Sequence, residues 1–393
     1  MPRDKERAYL RSHPWLKFQL DLSHAGAGIW MMLGEIKSKC EHLSMVPLKP
    51  AVSRELHAIY VAKGVHATTA IEGNTLSEVE VRQRIAGELP LPPSKEYLGE
   101  EVDNVVRVAN LVVDEVLAQK SALLTIADLC KYNMEILGGL SLEGGVTPGM
   151  LRTHEVAVGR YSGAPAQDCE FLVGRMCDWL NAAEFVVQGD MKIPMGVLRA
   201  IMAHLYIALI HPFGDGNGRT ARIVEVKILV GAGLPTPAAH LLSNHYNLTR
   251  SEYYRQLQSV SASGGVVTPF ISYALRGLLD GLVEQLKTVW DQQWTLAWND
   301  LIYTSLKGDG ATEVRLRHLM LGLTEAQSPV KPAEIKLLSV RLLEAYATVS
   351  DKTIQRDLKR LEDLHLIIRT REGIVANRGY IQAFMPVSAG ING

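Results

Sequence analysis

The sequence predicts an all-α fold with one short β-hairpin and a compositionally distinct C-terminal part, and three observations carry that prediction. Apolar residues recur at three- and four-residue spacing along most of the 393 residues. Clusters of Pro, Gly and Ser divide that pattern into segments, and long apolar–polar alternation is nearly missing. After Gly308, Asp309 and Gly310 the periodic stretches become short, which marks a boundary.

Taken in order, Ser53 to Ile71 reads as a helix closing on Glu72, Gly73 and Asn74, and Ser77 with Glu80 forms a capping box for the next one. Between residues 147 and 166, Val156 and Val158 alternate before Gly159 and a Gly/Pro-rich stretch, which predicts a short hairpin. Val197, Leu198, Ile201, Leu205, Ala208 and Leu209 define a helix over Met195 to Leu209 that is apolar nearly all round, so it belongs at the centre of a core. It ends at Pro212. A second helix is expected from Asn217 to Val230, with Gly231 and Gly233 as its stop, followed by helical sequence to about Leu306.

Bulk composition narrows the function classes. With 47% hydrophobic and 21% charged residues the chain can bury one large core and a smaller satellite. A formal net charge of −1 leaves no overall field to draw it onto nucleic acid or an anionic membrane, so any such contact is local. No apolar run is expected to approach the roughly 18 to 20 residues that cross a bilayer, and the opening MPRDKERAYL is charged with no hydrophobic stretch behind it. A cytoplasmic protein with no membrane partner is the expectation. Cys40, Cys130, Cys169 and Cys177 show no C-x-x-C spacing and read as reduced packing thiols.

The chemistry concentrates in HPFGDGNGRTAR, His211 to Arg222, between the two central helices. Gly214, Gly216 and Gly218 let the backbone turn tightly, so consecutive N–H groups can face an anion at the start of the following helix. Arg219 and Arg222, three residues apart, share a face and can reach further phosphate oxygens. Asp215 offers a hard oxygen ligand for Mg²⁺. His211 can take a proton from an incoming hydroxyl. A calcium-binding EF-hand loop fails at Arg219 and Thr220, and a Walker loop fails for want of lysine. His204, seven residues before His211, reads as a packing residue rather than a metal partner.

These residues resemble the HPFx[D/E]GNGRxxR signature of the Fic family, protein adenylyltransferases with an all-helical catalytic core, at every fixed position. TTAIEGN, Thr68 to Asn74, resembles the family's inhibitory motif [S/T]xxxE[G/N]N. The resemblance covers roughly residues 50 to 280 and implies an N-terminal helical region (1–110), a catalytic core (111–306) and a winged-helix-like domain (307–393). It implies ATP as substrate and Mg²⁺ held by Asp215. His211 would act as base, Pro212 and Phe213 as structural anchors, and Gly216, Asn217, Gly218, Arg219, Thr220, Ala221 and Arg222 as the ATP-binding segment. Asn247, Tyr253 and Tyr254 fall where family members contact the adenine. Thr68, Glu72, Gly73 and Asn74 would form the inhibitory turn, with Glu72 occupying the Arg222 guanidinium that the γ-phosphate needs. The hairpin, residues 154–166, corresponds to the family's flap, where a target protein presenting a Ser, Thr or Tyr hydroxyl docks as an added strand. Removal of AMP, use of another nucleotide-like donor, and a regulatory protein with a nucleotide-sensing core stay open as alternatives, as does a homodimer.

In the tail, ATVSDKTIQRDLKRLEDLHLIIRTREGIVAN reads as the second half of a winged helix-turn-helix. Ser350 is the expected cap, and Ile354, Leu358 and Leu361 the buried stripe of a helix exposing Lys352, Gln355, Arg356, Lys359 and Arg360. Two strands, Leu366–Arg369 and Ile374–Ala376, should follow. DNA contact is open, because Asp351, Asp357, Glu362 and Asp363 dilute the basic face.

Overall fold

One helix, Lys192–Ile210, has no solvent-facing side from Gly196 to Ile207, and the larger part of the molecule is assembled around it. The computed structural model describes residues 7–23, 25–118, 123–142, 144–159 and 161–381. Arg160 of the expected flap, residues 1–6 of the charged opening, and the end of the expected C-terminal domain from 382 onward lie outside the described residues. The chain divides into two compact units, Met1–Lys287 and Thr288–Gly393.

Together with its lead-in turn, the central helix corrects one expectation. Gly189–Ile210 is long and apolar enough to cross a membrane by length and composition, yet 83% of its most apolar stretch is buried inside the protein. Its hydrophobicity is spent on neighbouring helices, chiefly Asn217–Ala232, and two of its polar side chains, Arg199 and His204, are buried with the rest.

Helix Pro50–Ile71 begins with proline at its first turn, where no N–H is missed, and packs against Leu241–Leu248 and Asn217–Ala232. The approach is close at Gly64, where an added Cβ would stand 2.5 Å from His240 Cβ. The chain then turns at Gly73, with φ +106°, and enters Glu78–Ile85 through the expected capping box, Ser77 Oγ accepting from Glu80 N–H and Glu80 from Ser77 N–H. Helix Glu96–Leu117 crosses both Pro50–Ile71 and Asn217–Ala232, placing its first turns beside the turn that ends the former. The hairpin is small: Ala157–Val158 pairs antiparallel with Tyr161–Ser162 in the register Ala157↔Ser162 and Val158↔Tyr161.

The second unit has its own core. Trp294, Trp298 and Ile302, four residues apart along the long helix Thr268–Ser305, and Leu306 just past its end bury with Leu319, Met320, Leu358 and Leu361. For that reason the compact unit begins inside the helix at Thr288, whereas Gly308–Gly310, the expected boundary, only follows the helix end. Helices Val340–Tyr346 and Asp351–Asp363 precede an antiparallel pair, Ile367–Arg369 with Ile374–Ala376. Ile354, Leu358 and Leu361 form the buried stripe, and Lys352, Gln355, Arg356, Lys359 and Arg360 are exposed.

Two tail expectations need correction. Ser350 stands at the N-cap position, but its hydroxyl meets Thr353 Oγ1 at 3.3 Å and caps no backbone N–H. Asp357 does not dilute the exposed basic face. It is buried, bonded to Arg315 Nε at 2.8 Å and to the Tyr346 hydroxyl at 3.0 Å.

Candidate active site

The site begins where the central helix stops. His211 caps it in the left-handed region, φ 54° and ψ 60°, a conformation that costs a non-glycine residue about 1–3 kcal/mol unless its surroundings impose it. They do. His211 C=O accepts from Arg152 Nε at 2.6 Å, Pro212 C=O from Arg152 N–H at 2.9 Å, and Ile210 C=O from Ala164 N–H at 3.1 Å, so the residues flanking the hairpin hold the turn. The loop that follows is closed by Asn217, whose amide accepts from Phe213 N–H and donates to Phe213 C=O, both at 2.8 Å. Phe213 itself is buried and anchors the loop. Asn133 Nδ2 donates to Asp215 C=O at 2.9 Å from the other side. Gly216 takes φ +75° at the start of helix Asn217–Ala232, and a Cβ there would stand 2.9 Å from that Asn133 nitrogen.

A cavity of about 680 Å³ opens above this turn, lined by His211, Gly218, Arg222, Glu72, Tyr253 and Tyr254 among others. That is within the usual range for a small-molecule site. The first turn of Asn217–Ala232 meets it at Gly218 and contains no acidic residue of its own, so the start of the helix offers its free N–H groups on that side. Arg222 is fully buried: its Nη2 donates to Thr68 C=O at 3.0 Å and to Glu72 Oε1 at 2.5 Å, while Nε and Nη1 have no hydrogen-bond partner. Unpaired buried donors of a permanent cation are costly, and these belong to a residue on the cavity wall.

Glu72 sits directly over the helix start. A Cβ on Gly218 would overlap its carboxylate. Burial works to raise its pKa, but Arg222, then Arg219 and His211, outweigh that and hold it below the ordinary carboxylate value. The 30% of its side chain that stays accessible looks into the cavity. Burial also lowers the pKa of His211 from 6.5, the Arg152 charge adding to it and Glu72 and Asp215 opposing, so the imidazole is neutral at pH 7.

Not every expected residue reaches the cavity. Thr220 and Ala221 are wholly buried beneath the loop, Thr220 Oγ1 lying 3.3 Å from Asn133 Nδ2. Asn247 is half-buried on helix Leu241–Leu248 and does not line the cavity, whereas Tyr253 and Tyr254 on Arg250–Ala262 do. Arg219 turns aside to Glu101 Oε1 at 2.5 Å and Asp215 Oδ1 at 3.1 Å. Asn217 serves the loop with its side chain. Thr68 contributes its carbonyl, and Asn74 donates to Leu98 C=O at 3.0 Å and Glu101 Oε2 at 2.8 Å. His204 packs in the core with Nε2 2.8 Å from the Tyr253 hydroxyl.

Asp215 keeps 46% of its side chain exposed, with Oδ1 accepting from Gly216 N–H at 2.5 Å and from Arg219. One carboxylate completed by phosphate oxygens and water is a common way to hold Mg²⁺, and Asp215 fits it. Among the described residues no group of three or more His, Cys, Asp and Glu side chains converges on a metal position.

Three residues that shape the site were not singled out from the sequence: Arg152, Asn133 and Glu101. Each joins segments 59 to 118 positions apart, through His211, Asp215 and Arg219 respectively. Their partners lie far off in the chain, so none of the three carries a local signal of such a role.

The family model Fic, described as Fic/DOC family, matches residues 123–229, and the model HTH_DeoR, a DeoR-like helix-turn-helix domain, matches 334–379. Protein adenylyltransferase fic-1 of Caenorhabditis briggsae is 27% identical over 242 residues, 62% of this chain and 44% of that protein. Protein adenylyltransferase Fic of Nematostella vectensis is 29% identical over 252 residues, 62% of this chain and 53% of that protein. The chain thus spans about half the length of these curated relatives. Among solved structures, a Fic family protein from Desulfovibrio desulfuricans G20 superposes with a TM-score of 0.54 at 20% identity, covering 91% of this chain and 94% of that one. Fic-1 (residues 134–508) of C. elegans gives 0.53 at 23% identity, covering 73% and 79%.

Proposed function

From a chain that carries a Fic/DOC family domain over residues 123–229 and a DeoR-like helix-turn-helix domain behind it, we propose a protein adenylyltransferase held off by its own Glu72. The observation that carries this reading is the half-satisfied Arg222 guanidinium, paired on one side with Glu72 and bare on the other, at the wall of a cavity that His211 shares. The names of the relatives support the reaction class.

In this reading ATP lies with its phosphates over the N-terminus of Asn217–Ala232 and its base toward Tyr253 and Tyr254. Neutral His211 takes the proton from a target hydroxyl, the hydroxyl oxygen attacks the α-phosphorus, and pyrophosphate leaves with the electron pair of the broken P–O bond. Developing charge meets the backbone N–H groups at Gly216, Asn217 and Gly218. Mg²⁺, when bound at Asp215, supplies countercharge to the phosphates. The target chain lies along the hairpin 154–166 as an added strand, close to Gly159 and Tyr161 on the cavity wall. Glu72 opposes all this by holding Arg222 Nη2 away from the γ-phosphate.

The test is label transfer from α-labelled ATP with Mg²⁺. Glu72→Gly should label protein, itself included, at least tenfold faster than the parent chain, a ratio equivalent to about 1.4 kcal/mol of released ATP alignment. Equal labelling of both would remove the inhibitory reading, and no labelling of either the transferase reading. Label that appears only on release from a premodified protein would indicate AMP removal instead.

A second activity is favoured by one observation in the C-terminal unit. With Asp357 withdrawn into the core, Lys352, Gln355 and Arg356 form an exposed face on Asp351–Asp363 free of that charge. Lys359 and Arg360 are already engaged by Asp363 and Glu313. Weak duplex DNA binding with a shallow salt slope, about two phosphate contacts, follows, and Lys352→Ala with Arg356→Ala should abolish it.

A further inference from the structure

Glu72 is not the only carboxylate that joins the Asn74 turn to the anion loop. Glu101, in the second turn of helix Glu96–Leu117, does not line the cavity and belongs to neither sequence motif. Its Oε1 accepts from Arg219 Nη1 at 2.5 Å and its Oε2 from Asn74 Nδ2 at 2.8 Å, with only 13% of the side chain exposed. Asn74 is in turn fixed by donating to Leu98 C=O at 3.0 Å and accepting from Leu76 N–H at 3.0 Å. One carboxylate therefore spans the turn that carries Glu72 and the arginine of the phosphate loop.

We infer that Glu101 is a positioning residue that ties the Asn74 turn to Arg219, so that the Glu72 guard is fastened at a second point and Arg219 is kept turned from the cavity. The inference rests on the proposed transferase reading and deepens its regulation. Its physical basis is that a half-buried carboxylate bonded on both oxygens fixes both partners: release of the turn leaves one oxygen unpaired, and movement of Arg219 toward a phosphate leaves the other so. Glu72 and Glu101 thus hold the two arginines of the loop separately, Arg222 by one and Arg219 by the other. ATP that engages either arginine works against both contacts, because Glu72 and Asn74 lie in one turn two residues apart.

The test uses the full chain with Glu101→Gln, Asn74→Ala and Glu72→Gly, singly and combined, all screened for an unchanged far-UV spectrum and melting curve. Labelling from α-labelled ATP and amide hydrogen exchange of residues 73–76 are both read. With Glu72 in place, Glu101→Gln should raise the labelling rate about 3- to 10-fold, the size of a typical coupling between residues sharing one network. Asn74→Ala should do the same without adding to it. In the Glu72→Gly background Glu101→Gln should change the rate less than twofold, since the guard that the turn positions is already gone. Exchange at 73–76 should quicken in Glu101→Gln while helix Pro50–Ile71 stays protected. An equal change in both backgrounds, or exchange at 73–76 left as in the parent, overturns the inference. Should Glu72→Gly itself transfer no label, the transferase reading fails, and the exchange measurement still decides whether Glu101 holds the turn. If Glu101→Gln does not fold, Asn74→Ala alone carries the comparison.

Discussion

At the scale of single residues the account turns on three side chains. His211 stands in a backbone conformation that its neighbours enforce, and burial keeps it neutral, which is the form a base requires. Its pKa is displaced downward from 6.5, so the labelling rate of Glu72→Gly should stay level from pH 8 to about 6.5 and fall only in more acid solution. Removing Glu72 takes away a charge that favours the imidazolium, which moves the fall further down. A midpoint above pH 7 would contradict this. His211→Ala in the same background should lose about a hundred- to ten-thousandfold in rate with the ATP dissociation constant little changed, measured by titration calorimetry. For Glu72 the sign is set by Arg222, whose charge keeps the carboxylate ionised below its usual range. The guard therefore does not open on acidification through neutral pH, and the parent chain should remain silent between pH 8 and 6.

At the scale of elements, what was legible in the sequence is what local chemistry writes there. The helix ending at Ile71, the Ser77–Glu80 box, the glycine-built loop after His211 and the helix starting at Asn217 all follow from residues within a few positions of each other. The hairpin was legible too, though only two residues of each strand pair. What stayed hidden depends on chain segments meeting. Glu101 looks like any helix-surface glutamate until Arg219, 118 positions on, is set beside it. Arg219 was assigned to the nucleotide from its spacing and the motif it completes, and Asn247 from the family resemblance, and neither says which way a side chain turns. Helix–helix fit is equally invisible. Gly64 lets His240 lie on the guard helix, and Gly64→Ala should force the two apart, costing about 1–3 kcal/mol in urea denaturation of the larger unit. A change below about 0.5 kcal/mol would mean that the contact is looser than described.

At the scale of the whole molecule, each compact unit has its own main core, and the larger unit holds a further small cluster around Val65, Val81, Val102 and Val105. The sequence marked the change of composition after Gly308 but not that Trp294 to Leu306 already belong to the second core, because a helix shared along its length carries no punctuation where its burial partners change. Within that unit the Arg315–Asp357 pair is buried, so Asp357→Ala should cost it about 3–5 kcal/mol by leaving the guanidinium uncompensated. Calorimetry should then show that unit melting earlier while labelling by the Glu72→Gly larger unit is unchanged; a parallel loss of labelling would mean that the two cores are not independent. The central claim is that His211 and the Arg222 nest form one nucleotidyl-transfer site that Glu72 keeps closed. Intact-mass spectrometry of Glu72→Gly after exposure to ATP and Mg²⁺, beside Glu72→Gly with His211→Ala, tests it most directly. The account expects a mass gain of one AMP on the first protein and none on the second; an unmodified first protein, or the same adduct on both, would contradict it.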